Sequence, residues 1–100
     1  MARLDVHPMR GADDLYVLDV QAEVLSQLAT RAVVPLLLES AAPQPIGGLN
    51  PVFDIEGRRY VLVTQAIATV PVRELKPAVA SLAEDRDRVT RALDLLLVGF

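Results

Sequence analysis

The sequence predicts a mainly β domain that closes on a single C-terminal α-helix. Three observations carry this reading. Apolar and polar residues alternate over 15–25, Glu56-Gly57-Arg58 separates two apolar runs, and apolar residues recur every three or four positions only after Ser81. Alternation marks a half-buried strand, a short glycine-bearing break marks a hairpin, and the three-to-four spacing marks an amphipathic helix. At 100 residues the chain has room for one core, so 1–100 reads as a single domain.

Leu4 and Val6 alternate with Arg3, Asp5 and His7 as far as Pro8, which gives a short first strand. Gly11-Ala12-Asp13-Asp14 supplies a turn. In the second strand, 15–25, Tyr16, Leu18, Val20, Ala22 and Val24 share one face, with Asp19, Gln21 and Glu23 on the other. A third strand covers 31–38. Pro35 must make it bend, bulge or lie at an edge, because proline has no N–H for a ladder. The proline- and glycine-rich stretch 40–49 is a loop. Residues 52–55 and 59–64 form the hairpin, in which Gly57 can take the positive φ of a tight turn. A further strand follows at 67–70, then one helical turn at 71–75 that Pro77 stops.

The helix opens at Ser81-Leu82-Ala83-Glu84, which has the capping-box spacing, and runs to Leu97 or Val98. Leu82, Val89, Leu93, Leu96 and Phe100 recur on one face. Glu84–Arg88 and Asp87–Arg91 stand four apart, pairs worth about 0.2–0.5 kcal/mol each. Leu95-Leu96-Leu97-Val98 point nearly all round the axis, through roughly 300° at 100° per residue. One core cannot cover all four. A symmetric homodimer is the simplest cover, and wrapping by the N-terminal strands and the long loop is the alternative.

Composition narrows the function classes. Ten Lys and Arg against thirteen Asp and Glu argue against broad electrostatic binding of nucleic acid. The absence of cysteine removes thiolate metal sites and thiol nucleophiles. The N-terminus has no signal-peptide pattern, and the longest apolar run is far shorter than the ~20 residues that cross a bilayer, so a cytoplasmic protein without a membrane partner is expected.

Groups suited to catalysis are few. His7, the single histidine, reads as a solvated strand-end residue. Asp13-Asp14 reads as turn acids, Arg58-Arg59 as solubilising charges, and Ser81 as a helix cap. Gly47-Gly48 lacks the Lys and Ser or Thr of a phosphate loop. Asp94 is the only charge within 92–100 and could orient a partner. No metal, no cofactor and no catalytic activity are expected.

Five segments, taken in order, resemble the CcdB family of bacterial plasmid-maintenance toxins. They are 17–25 (VLDVQAEVL), 31–36 (RAVVPL), 49–55 (LNPVFDI), 68–72 (ATVPV) and the helix closing on Gly99-Phe100. The resemblance implies an SH3-like barrel: an antiparallel sheet of about five strands, a smaller sheet and a C-terminal helix, assembled as a homodimer. It also implies a toxin that catalyses nothing, binds the DNA gyrase A subunit, traps the cleaved gyrase–DNA complex, and is neutralised by a CcdA-like antitoxin. By position, Val24 and Leu25 match two consecutive aliphatics of the family's second strand that contribute to gyrase and antitoxin binding. Asp94 falls where the family commonly has Asn in that same surface, and Val98-Gly99-Phe100 falls on a terminal Trp-Gly-Ile that binds gyrase. Valine lacks the planar face that the Trp offers to a gyrase arginine, and Phe100 brings an aromatic face two residues on. Two other readings stand beside this one. A MazF-type ribonuclease shares the barrel and would draw on His7, Arg31, Arg58 and Arg59, while a CcdB-like dimer could bind antitoxin without poisoning gyrase.

Overall fold

The computed structural model describes residues 2–100. Met1 and the side chain of Asp13 lie outside the described residues, and with the latter the role of Asp13 as a turn acid. Strands β1 (Asp5–Met9), β2 (Ala12–Asp19), β3 (Thr30–Leu38), β4 (Val52–Ile55), β5 (Arg58–Leu62), β6 (Ala68–Pro71) and β7 (Ala80–Ser81) precede helix α1 (Arg86–Leu97). Every pairing is antiparallel, in the order β4-β5-β3-β2-β1-β7, with β6 also on β3.

β3 binds β2 along one edge and two strands along the other. It pairs with β6 at Thr30, Arg31, Ala32 and Val33, then with β5 at Leu36, Leu37 and Leu38. Pro35 sits in the gap between these ladders, opposite Val17 of β2. Its carbonyl accepts from the Val63 N–H at 2.9 Å. The amide and carbonyl of a strand residue face the same side, so the missing N–H falls where β3 changes partner and no ladder bond is lost.

From β6 the chain crosses to the outer edge of β1. Lys76 N–H donates to Pro8 O at 2.9 Å, Val79 N–H to Val6 O at 2.9 Å, and Arg10 N–H to Glu74 O at 3.0 Å. A strap attached to β3 at one end and to β1 at the other curls β1, β2 and β3 into a nearly closed barrel. The β4–β5 hairpin is the smaller sheet and continues from the second half of β3. Its two-residue turn, Glu56 (φ 52) and Gly57 (φ 81), has positive φ at both positions, the twist that matches a hairpin.

Both faces of the barrel strands are buried. The larger core joins Val6, Leu18, Val34, Leu36, Phe53, Ile55 and Leu62 to Leu82 and Val89 under α1. The smaller one, Val17, Val33 and Leu75 with Met9, Leu15 and Val70, fills the side closed by the strap. This explains why β2 is apolar at consecutive positions, Val17 and Leu18, where simple alternation would put one in water.

Several expectations are corrected. β2 stops at Asp19 instead of Leu25, because the Asp19 carboxylate accepts the Gln21 N–H at 3.0 Å and turns the chain away from the ladder. Gly11, with φ 77, makes the β1–β2 turn, and β2 already begins at Ala12. His7 is buried, at 1% exposure, because the strap covers it. Nδ1 lies 2.9 Å from Lys76 O and therefore carries the proton, and buried Nε2 has no partner among the described residues.

The capping box does not form. Ser81 pairs in β7 with Asp5, its Oγ accepts the Ala83 N–H at 3.2 Å, and a 3-10 turn, Ala83–Asp85, leads into α1. Arg88 pairs with Asp85 at 3.7 Å instead of Glu84, and no Asp87–Arg91 ion pair forms among the described residues. Phe100 lies beyond the helix and is 88% exposed, so it does not continue the buried face.

Tyr16 ties the barrel to the hairpin by donating to Glu56 Oε1 at 2.7 Å. That bond, with burial and the nearby carboxylate charge, pushes the phenol up from 10.0 to about 12. The folded state holds this proton more tightly than the unfolded chain, so its stabilisation is complete below pH 10.0 and is lost as pH rises through about 12. Tyr16→Phe should remove that part of the pH dependence. Urea titrations across the window test it, and equal slopes for the two proteins would contradict it.

Candidate functional site

The chain from Val20 to Ala29 leaves the barrel and returns, and side chains from inside fix its path. Arg31 and Asp19 form a buried ion pair at 3.5 Å, with side-chain exposures of 6% and 3%. Burial pushes the Asp19 carboxyl above its ordinary value, while the Gln21 N–H and Arg31 act in the opposite direction. Arg31 also donates to Ser26 O at 2.9 Å. Gln21 bridges both sides of the excursion, accepting the Ala32 N–H at 3.1 Å and donating to Leu25 O at 2.9 Å. The result is a tethered 3-10 turn, Glu23–Leu25, which displays Val24 at 87% and Leu25 at 47% exposure. Both therefore sit on a projecting turn, where a second strand was expected to continue.

The second apolar surface is the end of α1. Val89 and Ala92 are buried and Leu93 packs on the core, but Leu95, Leu97, Val98 and Phe100 are exposed at 36%, 70%, 60% and 88%. The rest of the chain thus leaves Leu97, Val98 and Phe100 uncovered. The 40–49 loop reaches Leu95, whose Cδ2 lies 3.6 Å from where a Cβ on Gly48 would stand. Gly99, with φ 95, ends the helix, and its N–H and that of Val98 return to Asp94 O at 2.9 and 2.8 Å. A Cβ on Gly99 would meet no atom within 4 Å. The Asp94 side chain is exposed on the same final turn.

These two surfaces do not merge within one chain. Glu23 and Arg86 line one pocket with Arg3, so the Val24 turn lies beside the start of α1. Asp94, Val98, Gly99 and Phe100 lie at its far end, and a twelve-residue helix spans about 18 Å. The groups named for a nuclease also fail to converge. Arg31 is engaged inside, His7 is buried, and Arg59 pairs with Glu39 at 3.1 Å, leaving Arg58 exposed on the hairpin.

Asn50 is a residue that pattern reading missed. It is buried, donates to Leu62 O at 3.0 Å and Gln65 Oε1 at 2.8 Å, and accepts the Ile46 N–H at 3.0 Å. Thr64 adds a bond to Leu49 O at 2.6 Å. Together they pin the end of the long loop to β5 and the turn that follows it. An Asn between a glycine-rich loop and a proline was the only signal.

The CcdB protein family model matches residues 3–99, almost the whole chain. The chain belongs to the CcdB family. That family consists of toxin–antitoxin toxins, so a toxin with an antitoxin partner is the class to which this CcdB-family chain belongs. Among solved structures it is similar to Mycobacterium tuberculosis toxin MazF-mt6, with a TM-score of 0.76 and 18% identity over 92% of this chain and 94% of that one. At that identity the likeness concerns the fold. A comparison with curated proteins finds no match. No helix among the described residues is long and apolar enough to cross a membrane.

The two surfaces differ in what underlies them. Arg31→Met should cost about 3–5 kcal/mol in chemical denaturation, because it strands the buried Asp19 carboxylate. Replacing Leu97 and Phe100 together by Ser should leave stability within about 0.5 kcal/mol, since exposed side chains away from the core contribute little. A large loss in the second variant would show that the tip is packed.

Proposed function

We propose that this chain is the toxin of a type II toxin–antitoxin pair that binds the DNA gyrase A subunit, traps the cleaved gyrase–DNA complex, and catalyses no reaction. The observation that carries the reading is the exposed apolar tip, Leu97, Val98 and Phe100, on a chain of the CcdB family. Exposed apolar patches at a helix end are costly in water and are suited to a partner's pocket. Phe100, at 88% exposure, offers the aromatic face for a target cation in place of the family Trp, for which Val98 stands. Gly99 lets the partner backbone approach closely, because no side chain stands there.

In this reading the working unit is a cytoplasmic homodimer. Two chains bring paired tips to one target, which answers the placement of the Val24 turn and the tip at opposite ends of α1 within a protomer. Val24, Leu25 and Asp94 would serve gyrase and a CcdA-like antitoxin alike, so that neutralisation is competition for a shared surface. A ribonuclease is the weaker reading, because Arg31 and His7 are committed inside the fold.

Expression of the chain alone in a sensitive bacterium should stop growth and alter plasmid supercoiling, and co-expression of the neighbouring antitoxin gene should restore both. Unchanged growth with unchanged supercoiling would defeat the proposal. RNA cleavage by the purified chain would favour the nuclease instead. Gly99→Arg should abolish gyrase binding while thermal unfolding stays within a few degrees of the parent. A variant that binds normally would show that the surface lies elsewhere.

A further inference from the structure

A basic pocket lies next to Leu95, between α1 and the loop that Asn50 pins. It has a volume of ≈ 210 Å³ and is lined by Gly48, Pro51, Arg88 and Arg91. Arg88 is held in place: its Nη2 donates to Val52 O at 2.9 Å, its guanidinium stacks over Phe53 at 4.4 Å, and Nη1 lies 3.7 Å from Asp85 Oδ1. Arg91 makes no ion pair or side-chain hydrogen bond among the described residues, although Asp87 stands one turn away. The pocket thus offers one fixed and one free guanidinium, the fork geometry that takes a carboxylate or phosphate in two bonds.

We propose that this pocket is the receptor for a glutamate or aspartate side chain of an extended segment of a partner protein, whose neighbouring apolar residue packs on Leu95. Charge complementarity and continuity argue for it. Gly48 stands against Leu95, so the pocket adjoins that exposed side chain, and Leu95 lies one helical turn beyond Arg91 on the same side of α1. A partner placing an acid next to an apolar residue would engage both at once. A run of phosphates fits less well, because Asp85 at the start of α1 and Asp87 and Asp94 within it flank the arginines, and the whole chain is net −3.

The pocket deepens the toxin reading by stating the chemistry of the partner, and its test runs on purified full-length chain. The probe is a short fluorescein-labelled peptide with one Glu between Leu and Phe, compared with the same peptide carrying Gln. Anisotropy titration should show the Glu peptide binding about tenfold tighter, a ratio that falls as salt rises. Arg91→Glu should erase the ratio with unchanged circular dichroism, and Arg91→Lys should keep part of it.

Equal binding of the two peptides to the parent chain overturns the receptor, and so does a ratio that survives in Arg91→Glu. Displacement of the Glu peptide by a single-stranded oligonucleotide at lower concentration than by unlabelled peptide assigns the pocket to phosphate and overturns it as well. A dimer that dissociates in Arg91→Glu makes the second copy the occupant, with the same consequence. Growth arrest without peptide discrimination rejects the receptor and leaves the toxin reading. Discrimination without growth arrest does the reverse.

Discussion

The change of partner along β3 is the constraint on which the rest of the fold depends. One edge of this strand must serve both β6, which begins the strap, and β5, which carries the hairpin. Pro35 marks the handover, and the Val63 N–H on its carbonyl sets where the second ladder begins. With the handover in place, β6 can lead the strap to β1 and close the barrel, while β5 and β4 spread to form a floor for α1. A strand that kept one partner along its whole length would give a flat sheet with no enclosed second core. A proline elsewhere in a central strand removes a ladder bond, but here it occupies a position where none is needed.

Most of the polar side chains that matter act from inside. The Asp19–Arg31 pair, Gln21, Asn50 and Thr64 each hold an irregular segment whose backbone groups would otherwise lack partners. Buried ion pairs seldom repay their desolvation by Coulomb energy alone. This one does a second job: the guanidinium also binds Ser26 O, which gives the 20–29 excursion a definite shape. Leu4, at φ 72, is a further strained point, tolerated because its amide and carbonyl are both bonded, to Asp19 O at 2.7 Å and Leu82 N at 2.8 Å, and its side chain is buried.

The regular parts of the fold were legible because they follow local periodicity. The hairpin at Gly57, the strand around Pro35, the turn after Pro71 and the buried Val89 face are all read from spacing. The errors share a physical origin in long-range contacts. His7 looks solvated until the strap, some seventy positions away in sequence, places Lys76 O on its ring. Residues 20–25 continue the alternation of β2 perfectly well, and only the Asp19 side chain, bonding two residues ahead, ends the strand. Ser81 has the spacing of a cap but is drawn into a pairing with Asp5. Of the candidate site, the excess of apolar residues after Ala92 was legible, since four consecutive apolar positions on a helix cannot all face one core. The arginines beside Leu95 were not, because they meet Gly48 and Pro51 only when Asn50 folds the loop back.

A division of labour follows from where the exposed apolar residues lie. Val24, Leu97, Val98 and Phe100 touch little of the core, and Gly99 has open space around it. Substitutions at the four apolar positions change what the surface presents without changing what holds the barrel, since stability effects concentrate at buried or strained positions, of which Gly99, at φ 95, is one. The tethered turn and the pinned loop, by contrast, depend on buried bonds that leave no such freedom. In this molecule the scaffold is therefore constrained and the exposed apolar residues are not, which fits a fold that can carry different surfaces on one framework.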